Sequence, residues 1–324
     1  MLVVRVAIAV VASLLAFAVP AFAQKYPDRV VKIVNPFPPG GSVEITARLL
    51  ALKLAEQTGG QFIVENRTGA GGNIGADSVA KSDPDGYTLL FTAPGPLTVN
   101  QTLYVKGLPF NPETDFAPIA IFARTPIVLM VNPKLNVKNV KELIDYAKAN
   151  PGKVNFGSAG MGSTPHLSGE LLKSEAHVNL THVPYRGTGP AMADLVAGHI
   201  QMMFDLLPAS LQQIKSGNVR ALANAGATRA AALKDLPTVA EQGIAGFDAS
   251  SWVALVAPAK TPAPVLAKLR AEAAKAMASA DIKKRLDDLG SVTGTADEKE
   301  ARAFLAAETK KWAAVIKASG AKVE

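Results

Sequence analysis

A loop of small residues near the middle of the chain leaves its backbone N–H groups free to face an anion. The stretch GSAGMGSTPHL follows a short apolar strand pattern at Val154 to Phe156 and precedes leucines at helical spacing. Pro165 suits the first turn of a helix, and Ser163 or Thr164 suits the N-cap. Such a helix start attracts a carboxylate or phosphate through its N–H groups and the positive end of its dipole. An ordinary capped helix after a tight turn explains this segment equally well.

A second loop of the same kind lies near the start of the chain. The strand pattern Val30 to Val34 runs into NPFPPGGS, and Ile45, Leu49 and Leu52 then predict one apolar helix face. Ser42 is the candidate cap of this helix. Because open α/β sheets bind ligands at the carboxyl ends of their strands, two such loops facing each other predict a cleft for an anion.

Residues 1–23 have the layout of a cleavable secretory signal. Arg5 precedes an apolar run, and Ala21-Phe22-Ala23 has the small-x-small pattern of a cleavage site. We expect cleavage after Ala23 and a periplasmic mature chain, with an uncleaved anchor as the alternative. The sequence contains no cysteine, so we expect neither a disulfide nor a lipid-modified cysteine.

Composition and motifs argue against several functional classes. The formal net charge is +7, but lysines and arginines alternate with acids along helical stretches, which predicts a solvated surface and no nucleic-acid partner. The four histidines lack zinc-ligand spacing, and no G-x-S-x-G nucleophile elbow is present. GAGGNIG departs from the dinucleotide fingerprint by one position, which favours a tight turn into a helix. We therefore expect no metal and no cofactor.

The elements that position these loops alternate between strand and helix, which predicts an α/β fold with largely parallel sheets. Val140 to Ala149 is a predicted helix whose Asn139 and Glu142 have capping-box spacing. The tail from Pro264 to Ser319 reads as nearly all helical, and we expect it to pack on the first lobe. The remaining strand candidates are 62–65, 87–91, 119–122, 127–131, 154–156, 181–183, 202–204, 221–223 and 252–257.

Several segments, in order, resemble the Bug-type extracytoplasmic solute receptors of tripartite tricarboxylate transporters. They are PFPPGG, ENRTGAGGNIGA, KSDPDGYTLLF, GSAGMGSTPHLSGELL, HVPYRGTGPAMADLVAGHI, LPTVAEQG and FLAAETKKWAAVIKASG. The resemblance implies a two-lobe periplasmic binding protein of the Venus flytrap type, a monomer without enzymatic activity. It also implies a small carboxylate ligand, delivered to the permease subunits of such a transporter. We expect residues 24–124 and 251–324 to form lobe 1, and 125–250 to form lobe 2.

The resemblance also implies which residues contact the ligand. In lobe 1 they are Phe37, Gly41, Ser42, Thr92 and Ala93, and in lobe 2 they are Ser158, Ala159, Gly160, Ser163, Thr164 and His166, with Tyr185, Arg186 and Asp205 nearby. Two positions depart from the family pattern, because Glu44 replaces the usual Asp and Arg186 replaces a common Lys. Glu44 either satisfies the helix dipole or reaches into the cleft. Asp205 either accepts a hydrogen bond from an amino or hydroxyl group of the ligand or caps the turn before Pro208.

Two alternative functions stay open at this point. One is a periplasmic hydrolase that uses Ser163 and His166, and the other is a ligand-presenting subunit for a sensor kinase. The ligand itself could be a mono-, di- or tricarboxylate, an amino acid or an aromatic acid. If the chain crosses between lobes near 123–125 and returns before the strand at 252–257, Trp252 lies beside the hinge, and Trp312, on the last helix, lies far from it.

Overall fold

Strands and helices alternate along the chain, and the strands form two sheets. The computed structural model describes residues 26–324, so the expected signal at 1–23 lies outside the described residues. Each strand predicted above overlaps an observed strand.

Bounds of the regular elements are as follows for residues 26–324. The strands are β1 Val31–Asn35, β2 Phe62–Asn66, β3 Thr88–Thr92, β4 Phe116–Thr125, β5 Ile127–Val131, β6 Val154–Ser158, β7 Leu180–Pro184, β8 Met202–Leu206, β9 Arg220–Asn224, β10 Ser251–Pro258 and β11 Val292–Thr295. The α-helices are α1 Ser42–Thr58, α2 Asn73–Ala80, α3 Asn100–Leu103, α4 Val140–Ala149, α5 Thr164–Ala176, α6 Thr188–Ala197, α7 Leu207–Lys215, α8 Ala263–Ala278, α9 Ala280–Asp288 and α10 Glu298–Ser319.

Both sheets are mixed, so the expectation of largely parallel sheets is wrong. The first has the order β11-β4-β10-β3-β1-β2, with β1 parallel to β2 and β3, and β10 antiparallel to β3 and β4. The second has the order β7-β6-β8-β5-β9, with β6 parallel to β7 and β8, and β5 antiparallel to β8 and β9. The reason is the path of the chain, because β4 leaves the first sheet and β10 comes back beside it in the opposite direction.

The two crossings between the sheets are neighbours. β4 ends at Thr125 in the first sheet, and β5 begins at Ile127 in the second. The chain re-enters the first sheet at Ser251, which pairs directly with Thr125. The two sheets are therefore connected through a pair of adjacent strands, which is the arrangement of a two-lobe binding protein with a hinge.

Helix α1 buries only part of the predicted face, because Leu49 packs partly buried against the core of the first sheet. Ile45 and Leu52 are 48% and 72% exposed. The buried apolar side chains are instead Ala47, Leu50, Ala51 and Leu54, which pack in the core of the first sheet. Both sets have helical spacing, so periodicity alone does not choose between them. The alanines allow the helix to lie close to the strands beneath it.

The C-terminal helices pack on the first sheet, with one strand among them that sequence analysis missed. Leu266 and Leu269 of α8 and Ile282 of α9 join the core of the first sheet. β11 then pairs with β4 as the edge strand of the first sheet, and Gly294 fits there because a Cβ would lie only 2.2 Å from the carbonyl oxygen of Ile121. The last helix, α10, begins on the first sheet and continues until Trp312, Val315 and Ile316 join the core of the second sheet.

Candidate functional site

A cavity of about 380 Å³ opens between the two sheets, where the loops singled out in the sequence meet. It lies at the carboxyl ends of β1, β3, β6 and β8, as expected for a ligand site in α/β sheets. The strands β4 and β10, at which the chain leaves and re-enters the first sheet, contribute Thr125, Ser251 and Val253 to the cavity wall. Its lining includes Phe37, Ser42, Val43, Gly71, Ala93, Gly95, Asn100, Leu103, Tyr104, Thr125, Ala159, Met161, Gly162, Ser163, Thr164, Pro165, Thr188, Asp205, Leu206, Ser251 and Val253.

Three α-helices of ten or more residues begin at this cavity, namely α1, α5 and α6. Gly41 and Gly187 are the N-caps of α1 and α6 and provide no side-chain cap. The expectation that Ser42 caps α1 is wrong, because Ser42 is the first helical residue. The first N–H groups of a helix lack intrahelical acceptors, and no lysine or arginine lies among the described residues that line the cavity. The cavity thus offers helix dipoles and backbone donors to an anion.

The start of α5 has the predicted cap. Ser163 is the N-cap, and its Oγ accepts a hydrogen bond from the backbone N–H of His166 at 3.3 Å. The same hydroxyl donates to the carbonyl of Gly160 at 2.7 Å, which holds the preceding turn against the helix. Pro165 lies in the first turn, where it lacks only an N–H that the helix does not use.

Two stacked histidine rings support this loop from inside the second sheet. The ring centroids of His166 and His182 are 4.1 Å apart, and both rings stack near Phe156. His166 Nδ1 accepts the N–H of Gly162 at 3.1 Å, and Ser158 Oγ lies 2.7 Å from His182 Nε2. Burial lowers the pKa of His166 to about 3 and that of His182 to about 4, so both rings are neutral. Their role in this arrangement is to position the loop.

The geometry of Ser163 and His166 does not match a nucleophile and its general base. The Ser163 hydroxyl donates to a backbone carbonyl, and it meets the backbone N–H of His166 rather than the ring. Nδ1 of that ring is occupied by Gly162. A serine nucleophile needs its hydroxyl within hydrogen-bond reach of the base, and these two side chains do not have that contact.

Glu44 stabilises the first loop from behind the cavity. Its Oε2 accepts the N–H of Gly40 at 2.6 Å, and its Oε1 accepts from Arg48 Nε and Nη2 at 2.8 and 2.6 Å. Asn66 Nδ2 adds a longer bond of 3.3 Å. The Gly40 N–H, followed by Arg48 and Asn66, lowers the pKa of this carboxyl, so it is ionised. Both carboxylate oxygens of Glu44 thus accept hydrogen bonds from other residues of the protein, and Glu44 does not line the cavity.

Asp205 lines the cavity as a buried acid. Its side chain is fully buried, and its two oxygens accept hydrogen bonds from Thr188 Oγ1 at 3.2 Å and Ser210 Oγ at 2.9 Å. Burial raises the pKa of Asp205 to about 6, against the opposing effect of these hydroxyl donors. Thr188 is the first residue of α6, so the carboxylate lies at the start of that helix.

The predicted contact residues divide between the cavity wall and the layer behind it. Seven line the cavity, namely Phe37, Ser42, Ala93, Ala159, Ser163, Thr164 and Asp205. Eight do not line it in this structure, namely Gly41, Glu44, Thr92, Ser158, Gly160, His166, Tyr185 and Arg186. Thr92 and Ser158 are fully buried, and the Tyr185 hydroxyl donates to Asp194 at 2.6 Å.

Sequence reasoning missed the wall formed after β3. A π-helical turn at Gly95–Val99 leads into α3, and Gly95, Asn100, Leu103 and Tyr104 line the cavity. Asn100 Nδ2 donates to the carbonyl of Gly71 at 3.1 Å and to Asn73 Oδ1 at 2.7 Å, which ties this turn to the GAGG loop. The only local signal in the sequence is the pair Pro94 and Pro96, which favours a turn or loop. Single π turns often occur at functional sites.

Leu103 of α3 packs on the loop between β6 and α5 at the wall of the cavity. A Cβ added to Gly162 would be 2.3 Å from Leu103 Cδ2, so the leucine packs on the bare backbone of this glycine. Gly162 also has a φ of +74°, which favours glycine. The helix α3 and the loop between β6 and α5 thus touch through this pair at the wall of the cavity.

The described residues provide neither a metal centre nor a membrane span. Within 26–324, no group of three or more histidine, aspartate or glutamate side chains is placed to hold a metal ion. No helix in that range combines the length and the apolar run needed to cross a bilayer.

Known proteins resemble this chain over most of its length. The family described as the tripartite tricarboxylate transporter family receptor matches residues 46–321. BugT of Bordetella pertussis is 37% identical over 308 residues, which covers 95% of this chain and 94% of BugT. A structure of an R. palustris protein with adipate has 37% identity and a TM-score of 0.81, covering 92% of this chain and all of that one. MatC from Rhodopseudomonas palustris with bound malate has 33% identity and a TM-score of 0.77, covering 90% and 100%.

Proposed function

This chain belongs to the tripartite tricarboxylate transporter receptor family, and from that premise we propose that it captures a small carboxylate in the cavity between its two sheets and delivers it to a membrane permease. The receptor acts in the periplasm, as a monomer, after removal of the segment 1–23. It binds and releases its ligand and performs no reaction on it.

One observation carries the carboxylate assignment. The starts of α1 and α5 converge on a cavity whose described lining has no lysine or arginine. Helix dipoles and unpaired N–H groups favour a compact anion there. The related structures with adipate and malate support the same ligand class, since both molecules are small carboxylates.

Closure of the two lobes completes the site. Lobe 1 comprises 24–124 with 251–324, and lobe 2 comprises 125–250, so the crossings at Thr125 and Ser251 form the hinge. A ligand that contacts α1 in one lobe and α5 in the other favours the closed state by its differential affinity for that state. The permease then receives the closed, loaded form. Presentation to a sensor kinase would use the same closed form, whereas hydrolysis by Ser163 and His166 is disfavoured by their hydrogen bonds.

A thermal-shift screen tests this function. Carboxylates of two to eight carbons are compared with the matching neutral amides on the mature protein. A carboxylate at one hundred times its Kd should stabilise the protein by about 2.7 kcal/mol, whereas the amides should give little. Mass spectrometry of the recovered ligand should find it unchanged. Equal stabilisation by amides would contradict the anion site, and a hydrolysed or otherwise altered ligand would contradict the receptor role.

A further inference from the structure

The cavity has one charged side chain among the described residues that line it, and that side chain is an acid. Asp205 is the fourth residue of β8. Phe204 packs in the core cluster that contains Leu167 of α5, so Asp205, the next residue along the strand, points to the other face, where α6 and α7 begin. An acid in an anion-binding cavity restricts the ligands that the cavity accepts.

Hydroxyl groups, rather than cations, surround this carboxylate. Oδ1 accepts from Thr188 and Oδ2 accepts from Ser210, the backbone N–H of Leu206 is a third donor to the carboxyl group, and no nearby charge contributes to the shifted pKa of Asp205. A carboxylate keeps further acceptor capacity beyond one hydrogen bond to each oxygen. The Asp205 carboxylate, which is fully buried in this structure, therefore has room for one donor from a ligand once the residues that cover it move apart. A second anion placed beside it would be repelled.

The proposal concerns ligand selection and rests on the proposed function. We propose that Asp205 selects carboxylates that carry a hydrogen-bond donor, a hydroxyl or an ammonium group, at the end that faces the start of α6. A ligand with an ionised second carboxylate at that end is disfavoured. The starts of α1 and α5 bind the first carboxylate of the ligand, and Asp205 contacts the group at the other end of the ligand.

The two ligand classes should respond to pH with opposite signs. A donor ligand needs ionised Asp205, so its affinity should fall as the pH drops through about 6, the pKa of this acid. A dicarboxylate needs the two carboxyl groups to share a proton, so its affinity should fall as the pH rises above that value, by up to about tenfold per unit.

Other titratable groups lie near β8, and the Asp205→Asn variant separates their effect between about pH 5 and pH 8 from that of Asp205. Helix α5 contributes His166 and His182 lies beside it, and both titrate at about 3 and 4, below this range. The remaining charged groups on the helices packed against β8 are Glu170, Lys173 and Glu175 on α5, Asp194 on α6 and Lys215 on α7, while β5 and β6 have none. The pKa of Asp194 is lowered further by Tyr185 and His199.

Matched ligands and a matched variant provide the test. Succinate, glutarate and adipate are each compared with the two analogues in which one carboxylate is replaced by a hydroxymethyl or an aminomethyl group. Isothermal titration at about pH 8 should show the donor analogues of the best chain length binding at least about tenfold tighter than the diacid. Asp205→Asn should remove this preference and flatten both pH profiles. The control is Asp145→Asn, which makes the same change at an exposed site on α4 and should keep the wild-type ranking.

Distinct results separate the two proposals. If no member of the series binds, the carboxylate function fails. If members bind but Asp205→Asn and the wild type share one ranking and one pH profile, the role of Asp205 alone is overturned. Should Asp205→Asn not fold, Thr188→Val serves instead, because losing one donor to the carboxylate should move both pH midpoints upward. Unmoved midpoints in that variant overturn the inference as well.

Discussion

Glu44 is a buried acid whose hydrogen bonds are made within the protein, behind the cavity wall. Its carboxylate occupies the N–H of Gly40 and the side chain of Arg48, which fixes the loop that precedes α1. The start of α1 is then presented to the cavity with its own N–H groups unused. The longer side chain relative to the family pattern thus has a structural use at this position.

We predict that Glu44→Gln weakens binding of all carboxylates by a similar factor and leaves their ranking unchanged. The amide cannot accept from both Gly40 and Arg48 as the carboxylate does, so the loop becomes less ordered and part of the binding energy is spent on ordering it. Isothermal titration with three carboxylates measures this. Glu56→Gln, an exposed acid of the same helix, should leave affinity unaltered. A changed ranking in Glu44→Gln would instead show that Glu44 reaches the ligand.

Side-chain direction limited prediction at the residue scale. The cap at Ser163 followed from its residue type and its position before Pro165, because local hydrogen bonds decide helix caps. The direction of His166 did not follow, since its ring turns inward to stack on His182, which lies on a strand beyond the helix. Such tertiary contacts have no local sequence signal. The hydrogen bonds that Thr188 and Ser210 donate to Asp205 depend in the same way on α6 and α7, which come together only in the folded protein.

Elements differ in how far the sequence predicts them. The strands were recognisable as short apolar runs bounded by turn residues, and each prediction overlaps an observed strand. The buried face of α1 was not, because two sets of apolar residues had helical spacing. β11 was missed because its sequence VTGT is short and it is an edge strand that pairs with β4 alone. The π turn at Gly95–Val99 was not predicted, because Pro94 before it and Pro96 within it favour a loop.

The contact between Leu103 of α3 and Gly162 in the loop before α5 gives a prediction at the scale of the elements. Gly162→Ala should lower the free energy of unfolding and weaken ligand affinity at least about tenfold. The new methyl group strains a backbone with φ of +74° and collides with Leu103 at the cavity wall. Gly152→Ala is the matched control, with φ of +73° and its nearest neighbour at 3.9 Å, far from the cavity wall. It should lose similar stability but keep its affinity.

Chemical denaturation and isothermal titration of the two alanine variants separate backbone strain from the collision. The double variant Gly162→Ala with Leu103→Ala should recover part of the lost affinity, since it removes the opposing side chain. Equal affinity losses at Gly162 and Gly152 would mean that strain alone, and not the contact with Leu103, explains the effect.

At the scale of the whole molecule, the last helix connects the two sheets. Trp252 of β10 and Trp312 of α10 both donate their indole N–H to Glu308 Oε2, each at 2.9 Å, and Lys311 pairs with the other oxygen. Trp252 belongs to the core of the first sheet and Trp312 to that of the second. The expectation that Trp312 lies far from the hinge is therefore wrong, because α10 folds back beside the strand that re-enters the first sheet.

Closure should consequently be visible at both tryptophans. If the second lobe moves when ligand binds, the contact of Trp312 with its core and the shared bonds to Glu308 must adjust together. We predict a saturable change in tryptophan emission on titration with a bound carboxylate in both Trp252→Phe and Trp312→Phe, with midpoints that agree with calorimetry. Glu308→Gln should fold and still bind, but should alter the size of both changes, because it removes the charge that the two indoles share. A response confined to one tryptophan would show that this cluster stays rigid and that α10 moves with a single lobe.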